Sequence, residues 1–235
     1  MVDQVLMNII LNYKLLNKLD MADVRFFDQQ HRENTLIILK KVSDVLHEHN
    51  IVHYLDFGTL IGAIREKGFI PWDDDIDISL AHEKDYHKIP LVLKKIKKRF
   101  RLRTYLYSFK ESIARRRKGG EEIFCETVNF TDENNYQIAK VRDNWFWIVG
   151  RGNVCIDIFF KYKFKDNMYW MAYGKENFVP SDRLGTEFVE IDFYDLKFKI
   201  PKQYNEYLTY KYGDWMTRNE KWTHDNDDFT IVNSY

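Results

Sequence analysis

Four carboxylates fall within five residues at Asp73, Asp74, Asp75 and Asp77, and this run constrains the fold more than any other stretch of the chain. Like charges packed this tightly repel one another unless a cation lies among them. The segment 75–80 alternates polar with apolar residues and reads as a β-strand. On a strand, Asp75 and Asp77 share one face while Ile76, Ile78 and Leu80 share the other. The apolar face belongs in a core, and the acidic face must meet solvent, a partner or a metal. An EF-hand calcium loop counted from Asp73 needs Gly at its sixth position and Glu at its twelfth, where this chain has Ile78 and Lys84. Two carboxylates two residues apart at a strand end can instead hold Mg²⁺ and leave positions for phosphate oxygens.

The neighbouring segments narrow the reading. A short strand is expected over 51–56, and Gly58-Thr59 opens a brief helix through Glu66, with Thr59 as candidate cap. Lys67-Gly68 closes that helix, and Pro71 prevents its continuation. A helix start with a glycine lets a phosphate approach free N–H groups. Strand, Gly-Thr turn, helix and Asp-x-Asp strand resemble the layout of the nucleotidyltransferase superfamily related to DNA polymerase beta. The expected fold class is therefore α+β, a mixed sheet flanked by helices. A third carboxylate is expected on a neighbouring strand, and Asp157 is the best candidate, with Val154, Ile156, Ile158 and Phe160 forming the opposite face. The alternative for Asp157 is an ion pair with a basic side chain. Asp192 and Asp195 are weaker rivals, in surroundings that read as a loop or edge strand.

The remaining chain reads as helices over 31–49, ending at Asn50, and over 83–99, where Pro90 kinks or splits the helix. Strands are expected over 101–108, 136–142, 154–160 and 168–173, with a polar loop over 111–121. A last helix over 202–212 lies between Pro201 and Gly213. Residues 1–30 are read as an N-terminal helical extension, 31–222 as one domain and 223–235 as a polar tail. The 3–19 helix is amphipathic and too polar to span a bilayer. It packs on the domain or makes a peripheral membrane contact through Ile9, Ile10, Tyr13 and Leu16. With 36 basic and 36 acidic residues the charge is balanced, and no stable nucleic-acid complex is expected. Two cysteines, Cys125 and Cys155, make neither a disulfide framework nor a four-ligand zinc site, so a reducing, cytoplasmic setting is expected. The segment 94–118 carries twelve basic residues and one acid, either a solvated face or an anion-binding surface. Trp145, Phe146, Trp147, Trp170 and Tyr173 are either packing residues or a stacking surface for a sugar or base.

At the level of whole motifs, the runs Tyr54-Leu55-Asp56-Phe57-Gly58-Thr59-Leu60-Ile61-Gly62-Ala63-Ile64-Arg65 and Lys67-Gly68-Phe69-Ile70-Pro71-Trp72-Asp73-Asp74-Asp75-Ile76-Asp77-Ile78 closely resemble the LicD family. That family includes bacterial phosphocholine transferases and is related to the fukutin proteins. Ile200-Pro201, Tyr207-Leu208 and Tyr212-Gly213-Asp214-Trp215-Met216 resemble its C-terminal motif, and Asp157 matches its downstream acidic strand. The zinc-finger cysteines and the membrane anchor of some animal relatives have no counterpart here, which speaks against a secretory glycosylation role.

The resemblance implies a Mg²⁺- or Mn²⁺-dependent phosphotransferase moving a phospho-alcohol, of the phosphocholine or ribitol/glycerol phosphate type, from a CDP-activated donor to a sugar hydroxyl of a glycan or glycolipid. Lipopolysaccharide, teichoic acid or capsule would be such an acceptor. Asp75 and Asp77 would be the main metal ligands, and Asp157 would complete a second metal position and help draw the proton from the acceptor. Gly58 and Thr59 would cradle a phosphate. Arg65, Lys67, Lys140 and Arg142 are candidates for the donor phosphates or, alternatively, for structural ion pairs. Two alternatives keep the fold: a nucleotidyltransferase adding NMP from an NTP to a small molecule, protein or RNA, and a non-catalytic binder.

Overall fold

The computed structural model describes residues 25–108, 135–144, 153–172, 175–222 and 229–231. The helix expected over 3–19, the loop over 111–121, Cys125, Trp145, Phe146, Trp147 and Tyr173 lie outside the described residues, as does most of the 223–235 tail.

Helix α1 (Gln29–Glu48) starts two residues before the expected boundary because Asp28 caps it, its carboxylate accepting the His31 N–H at 2.6 Å. Ile38, Leu39, Val42, Val45 and Leu46 recur at helical spacing and form its buried stripe. The helix stops where expected, with Asn50 in the left-handed region at φ 54°. Strand β1 (His53–Leu55) then leads into α2 (Phe57–Ile61), which runs on as a π-helical turn, Gly62–Glu66. Asp56 caps α2 rather than Thr59: its carboxylate accepts the Phe57 N–H at 2.8 Å, and Thr59 lies inside the helix. Lys67 closes the π turn in left-handed conformation.

Strand β2 (Ile76–Leu80) has the expected alternation, with Ile76, Ile78 and Leu80 buried. A 3₁₀ segment, Glu83–Lys88, precedes α3 (Ile89–Phe100). Pro90 begins α3 instead of kinking a longer helix, because in the first turn its missing N–H has no partner to lose. Strands β3 (Arg103–Ser108), β4 (Tyr136–Arg142) and β5 (Cys155–Phe159) follow. Five further strands are β6 (Tyr162–Phe164), β7 (Asn167–Ala172), β8 (Lys175–Pro180), β9 (Phe188–Phe193) and β10 (Leu196–Pro201). Between β8 and β9 lies the short α4 (Ser181–Leu184), and α5 (Tyr204–Tyr212) ends at Gly213, with φ 67°.

The architecture is α+β. The main sheet has seven strands in the order β3-β4-β5-β2-β1-β10-β9, and β6-β7-β8 form a second, antiparallel sheet. Only β2–β5 and β1–β10 are parallel, so the main sheet is mixed. Its centre is apolar on one face: Ile76, Ile78, Val141, Ile156 and Ile158 are each fully buried, and each such side chain contributes roughly 1.5–3 kcal/mol. Phe26, from the segment read as an extension, is also part of this core and stacks on Phe69. Among the described residues no helix is long and apolar enough to cross a membrane.

One buried titratable group sets an acid limit on this fold. The ring nitrogens of His53 on β1 meet Ser43 Oγ at 2.9 Å and the Ile51 carbonyl oxygen at 3.3 Å. Burial lowers its pKa from 6.5 to about 4. The unfolded chain therefore binds this proton more readily than the folded one between those values. Stability from this group is complete above about pH 6.5 and falls as the pH drops toward 4, by roughly 3 kcal/mol in all. Urea unfolding between about pH 7 and pH 4.5 should show that slope, and His53→Gln should flatten it. An unchanged slope in the variant would assign the acid sensitivity to other groups.

Candidate functional site

Register places the acids. In the parallel pair β2–β5, Asp77 stands opposite Asp157, and on the other side of β5, Lys140 of β4 stands opposite Asp157. A row across the sheet thus runs Lys140, Asp157, Asp77. Asp75, Asp77 and Asp157 each offer an oxygen within 4.8 Å of the others, and Asp73, Asp74 and Asp75 form a second such group. The three acids singled out from the sequence are therefore brought together. Asp192 is exposed on edge strand β9, paired with Lys197, and neither it nor Asp195 joins the group.

The electrostatics are those of unrelieved repulsion. Burial first, then the charges of Asp75 and Asp157, push the Asp77 carboxyl well above the usual carboxylate range. Burial, Asp73 and Asp157 do the same to Asp75, and Asp73 is raised to about 6, chiefly by burial. Asp157 is the best neutralised: Lys140 Nζ donates to its Oδ2 and the Cys155 thiol to its Oδ1 at 3.0 Å. Burial, the largest influence, would lower the Lys140 pKa, but the charge and hydrogen bond of Asp157 together with Cys155 and Asp75 outweigh it and raise the ammonium above its ordinary value. Burial and Asp157 push the Cys155 thiol up, so it stays a thiol. A set of hard carboxylate oxygens this close, short of positive charge, fits a divalent cation such as Mg²⁺ or Mn²⁺.

The acidic face opens onto a cavity of about 510 Å³. Its floor carries Asp73, Asp75 and Asp77 with Gly58 and Phe57. Its walls come from the small sheet (Trp170, Lys175, Asn177), from α5 and the segment after it (Lys211, Tyr212, Trp215), and from Arg25 and Trp72. Trp170 borders the cavity but is fully buried, so it takes the packing alternative.

The expected phosphate-binding residues divide. Gly58 lines the cavity, but a Cβ there would come within 2.7 Å of Asp73 Oδ2, so its open space accommodates the acidic turn. Thr59 is buried off the cavity wall, and its hydroxyl accepts the Asp77 N–H at 2.9 Å. Asp56 takes the Phe57 N–H and Thr59 takes the Asp77 N–H, so of the expected Gly-Thr pair only Gly58 reaches the cavity. Arg65 does line the cavity, held by bonds of 2.7 Å to the Trp215 carbonyl and to Glu66. Lys67 is exposed and Arg142 half-buried, and neither lines it. Lys140 takes the ion-pair alternative, on Asp157.

Sequence reading missed the polar hub beneath the site. Lys161 Nζ lies 2.6 Å from Asp56 Oδ2, both essentially without exposure. Tyr207 OH donates to Asp56 Oδ1 at 2.8 Å, and Ser79 Oγ donates to Asp56 Oδ2. The available signals were an acid directly before a helix start and a lysine directly after the apolar run 154–160. Neither signal names its partner.

The family described as "LicD/FKTN/FKRP, nucleotidyltransferase domain" matches residues 50–203, which hold the turn from β1 into α2, the acidic turn and Asp157. Uncharacterised proteins of Rickettsia prowazekii and Rickettsia typhi are each 42% identical over 50 residues, 21% of this chain and 19% and 16% of theirs. The lipopolysaccharide cholinephosphotransferase LicD of Haemophilus influenzae is 48% identical over 61 residues, 24% of this chain and 22% of that protein. The matched segments thus span about a fifth of these relatives' own lengths.

Carboxylates gathered against their own repulsion leave a measurable mark. In EDTA, Asp75→Asn should melt a few degrees higher than the wild type, a gain of about 1–2 kcal/mol from relieved repulsion. Added Mg²⁺ should raise the wild-type melting temperature and move the variant less. A variant that melts lower in EDTA would show that other groups already neutralise Asp75.

Proposed function

Since the chain belongs to the LicD family of nucleotidyltransferase-domain proteins, we propose that it is a Mg²⁺- or Mn²⁺-dependent phosphotransferase, moving a phospho-alcohol from a CDP-activated donor to a sugar hydroxyl of a glycan or glycolipid. The observation that carries this reading is the cavity of about 510 Å³ with carboxylates on its floor and basic and aromatic side chains on its walls. That volume suits a nucleotide-sized ligand. A choline-type transferred group is supported by the relative named as a lipopolysaccharide cholinephosphotransferase. The order of strand, turn, helix and acidic strand supports a nucleotidyltransferase-type fold.

A divalent ion held by Asp75, Asp77 and Asp157 would supply charge neutralisation to the phosphate oxygens. Arg65 and Lys211, which both line the cavity, would place positive charge along the donor's pyrophosphate. Arg65 is preorganised for this by its bonds to Glu66 and Trp215. The acceptor hydroxyl oxygen attacks the phosphorus that bears the alcohol. The new P–O bond forms as the bond to the CMP oxygen breaks, and CMP leaves. The hydroxyl proton passes to Asp75, which faces the cavity. Asp157 is unsuited to that step, since it lies off the cavity wall with both oxygens engaged.

Thermal shift in Mg²⁺ with CDP-choline, CDP-ribitol, CDP-glycerol, CTP and ATP tests the donor class. A metal-dependent rise with a CDP-alcohol and none with the triphosphates is expected. A rise with a triphosphate alone would overturn the reading in favour of nucleotidyl transfer. Asp77→Asn should cost CMP release on the order of 10²-fold or more while the far-UV circular dichroism is kept. Wild-type turnover in that variant would remove Asp77 from the site.

A further inference from the structure

The peptide of Asp77 is gripped from both sides by the corner between β1 and α2. Its N–H donates to Thr59 Oγ1 at 2.9 Å, and its carbonyl accepts the Asp56 N–H at 3.0 Å. Thr59 is 3% exposed and β-branched, so its hydroxyl has little rotamer freedom. The corner itself is strained: Phe57, a bulky residue, has φ 44°. Such conformations cost on the order of 1–3 kcal/mol and persist where the surroundings over-determine them.

The Asp56 carboxylate supplies that over-determination. It receives four donors, Phe57 N–H and Tyr207 OH on Oδ1, each at 2.8 Å, and Ser79 OH and Lys161 Nζ on Oδ2. A carboxylate offers about four acceptor positions, so none is left over. Lys161 is fixed in turn by Tyr207 OH at 3.0 Å and by the rings of Tyr54, Phe57, Trp170 and Tyr207, whose centroids lie 4.6–5.5 Å from Nζ. A buried ion pair contributes little net stability compared with apolar packing of the same volume. What it does supply is one fixed geometry, joining the start of α2, strand β2, the end of β5 and helix α5.

We propose that this corner is a clamp for the metal site, in which Thr59, Asp56 and Lys161 are positioning residues that hold Asp77 in register with Asp75 and Asp157 for a divalent cation. The inference rests on the metal-dependent reading above. It gives Thr59 a structural hold on a ligand-bearing peptide in place of a phosphate contact.

Binding of Mn²⁺ alone to the full chain, followed by electron paramagnetic resonance or calorimetry well below the melting temperature, tests the clamp. Thr59→Val should weaken Mn²⁺ binding about ten-fold or more, while Thr59→Ser, which restores the hydroxyl, should stay within about two-fold of the wild type. Tyr207→Phe removes one donor from Asp56 and should weaken Mn²⁺ binding in the same direction by a smaller factor. That variant keeps the test in place should Thr59→Val fail to fold. If Thr59→Val or Tyr207→Phe melts lower yet binds Mn²⁺ as the wild type does, the hydroxyls serve stability only and the clamp is overturned. A wild type that binds no Mn²⁺ would overturn the metal reading and the clamp together, whereas binding that all variants share would overturn the clamp alone.

Discussion

Two like charges face each other at the centre of the main sheet, Asp77 on β2 and Asp157 on β5, held opposite by parallel register. Directly opposed like charges destabilise a sheet. The register cannot slip by one residue to relieve them, because that would turn Ile76, Ile78, Ile156 and Ile158 out of the core. The hydrophobic face therefore enforces the electrostatic problem on the acidic face. The placement of cations follows from this. Lys140 neutralises Asp157 from one end of the row, and Lys161 sits with Asp56 behind Asp77. Neither contacts Asp75 directly, so the negative charge that remains is concentrated where the cavity begins.

The same face of the sheet thus carries two different solutions to buried charge. Toward the cavity, carboxylates are gathered with too few cations and their pKa values rise. One strand position deeper, Ser79 joins an acid, a lysine and a tyrosine in a hub where the Asp56 carboxylate has four donors. The first arrangement is open to a ligand that brings positive charge, and the second is closed to any. A rigid, satisfied layer beneath an unsatisfied one is what a binding site needs if its geometry is to survive without its ligand.

The local features of this arrangement were legible in the sequence, and the long-range ones were not. Alternation of acids with isoleucines marked β2 and its two faces, and the same pattern around Asp157 marked β5. The 136–142 strand was bounded correctly because its alternation is clean. Strands β6, β8 and β10 went unread, and β9 reads from sequence only as a loop or edge strand, since charged residues interrupt their apolar pattern. The cap of α2 lies three residues before the expected Thr59, because Asp56 reads from sequence as the end of the preceding strand, which stops at Leu55. Thr59 shows the limit most clearly. A threonine after glycine at a helix start suits a phosphate or a neighbouring peptide equally well, and only the return of β2 beside the corner decides between them. Likewise Tyr207 lies 151 residues from Asp56, and nothing local to either residue encodes their contact.

The division of the cavity between near and distant segments has a consequence for recognition. The carboxylate floor comes from contiguous chain around the corner and β2, with Asp157 beside it. The walls come from the small sheet and from α5 and the residues after it, joined to the floor by contacts such as Trp170 on Phe57 and Arg65 to Trp215. A substitution in the floor disturbs a register fixed by the whole core. Among the wall residues, a substitution at Trp215 also reaches the core in which it is buried, whereas Lys175 and Tyr212 are half-buried at the cavity. A ligand in the cavity would therefore meet a floor of contiguous chain and walls of distant chain, both anchored in one core.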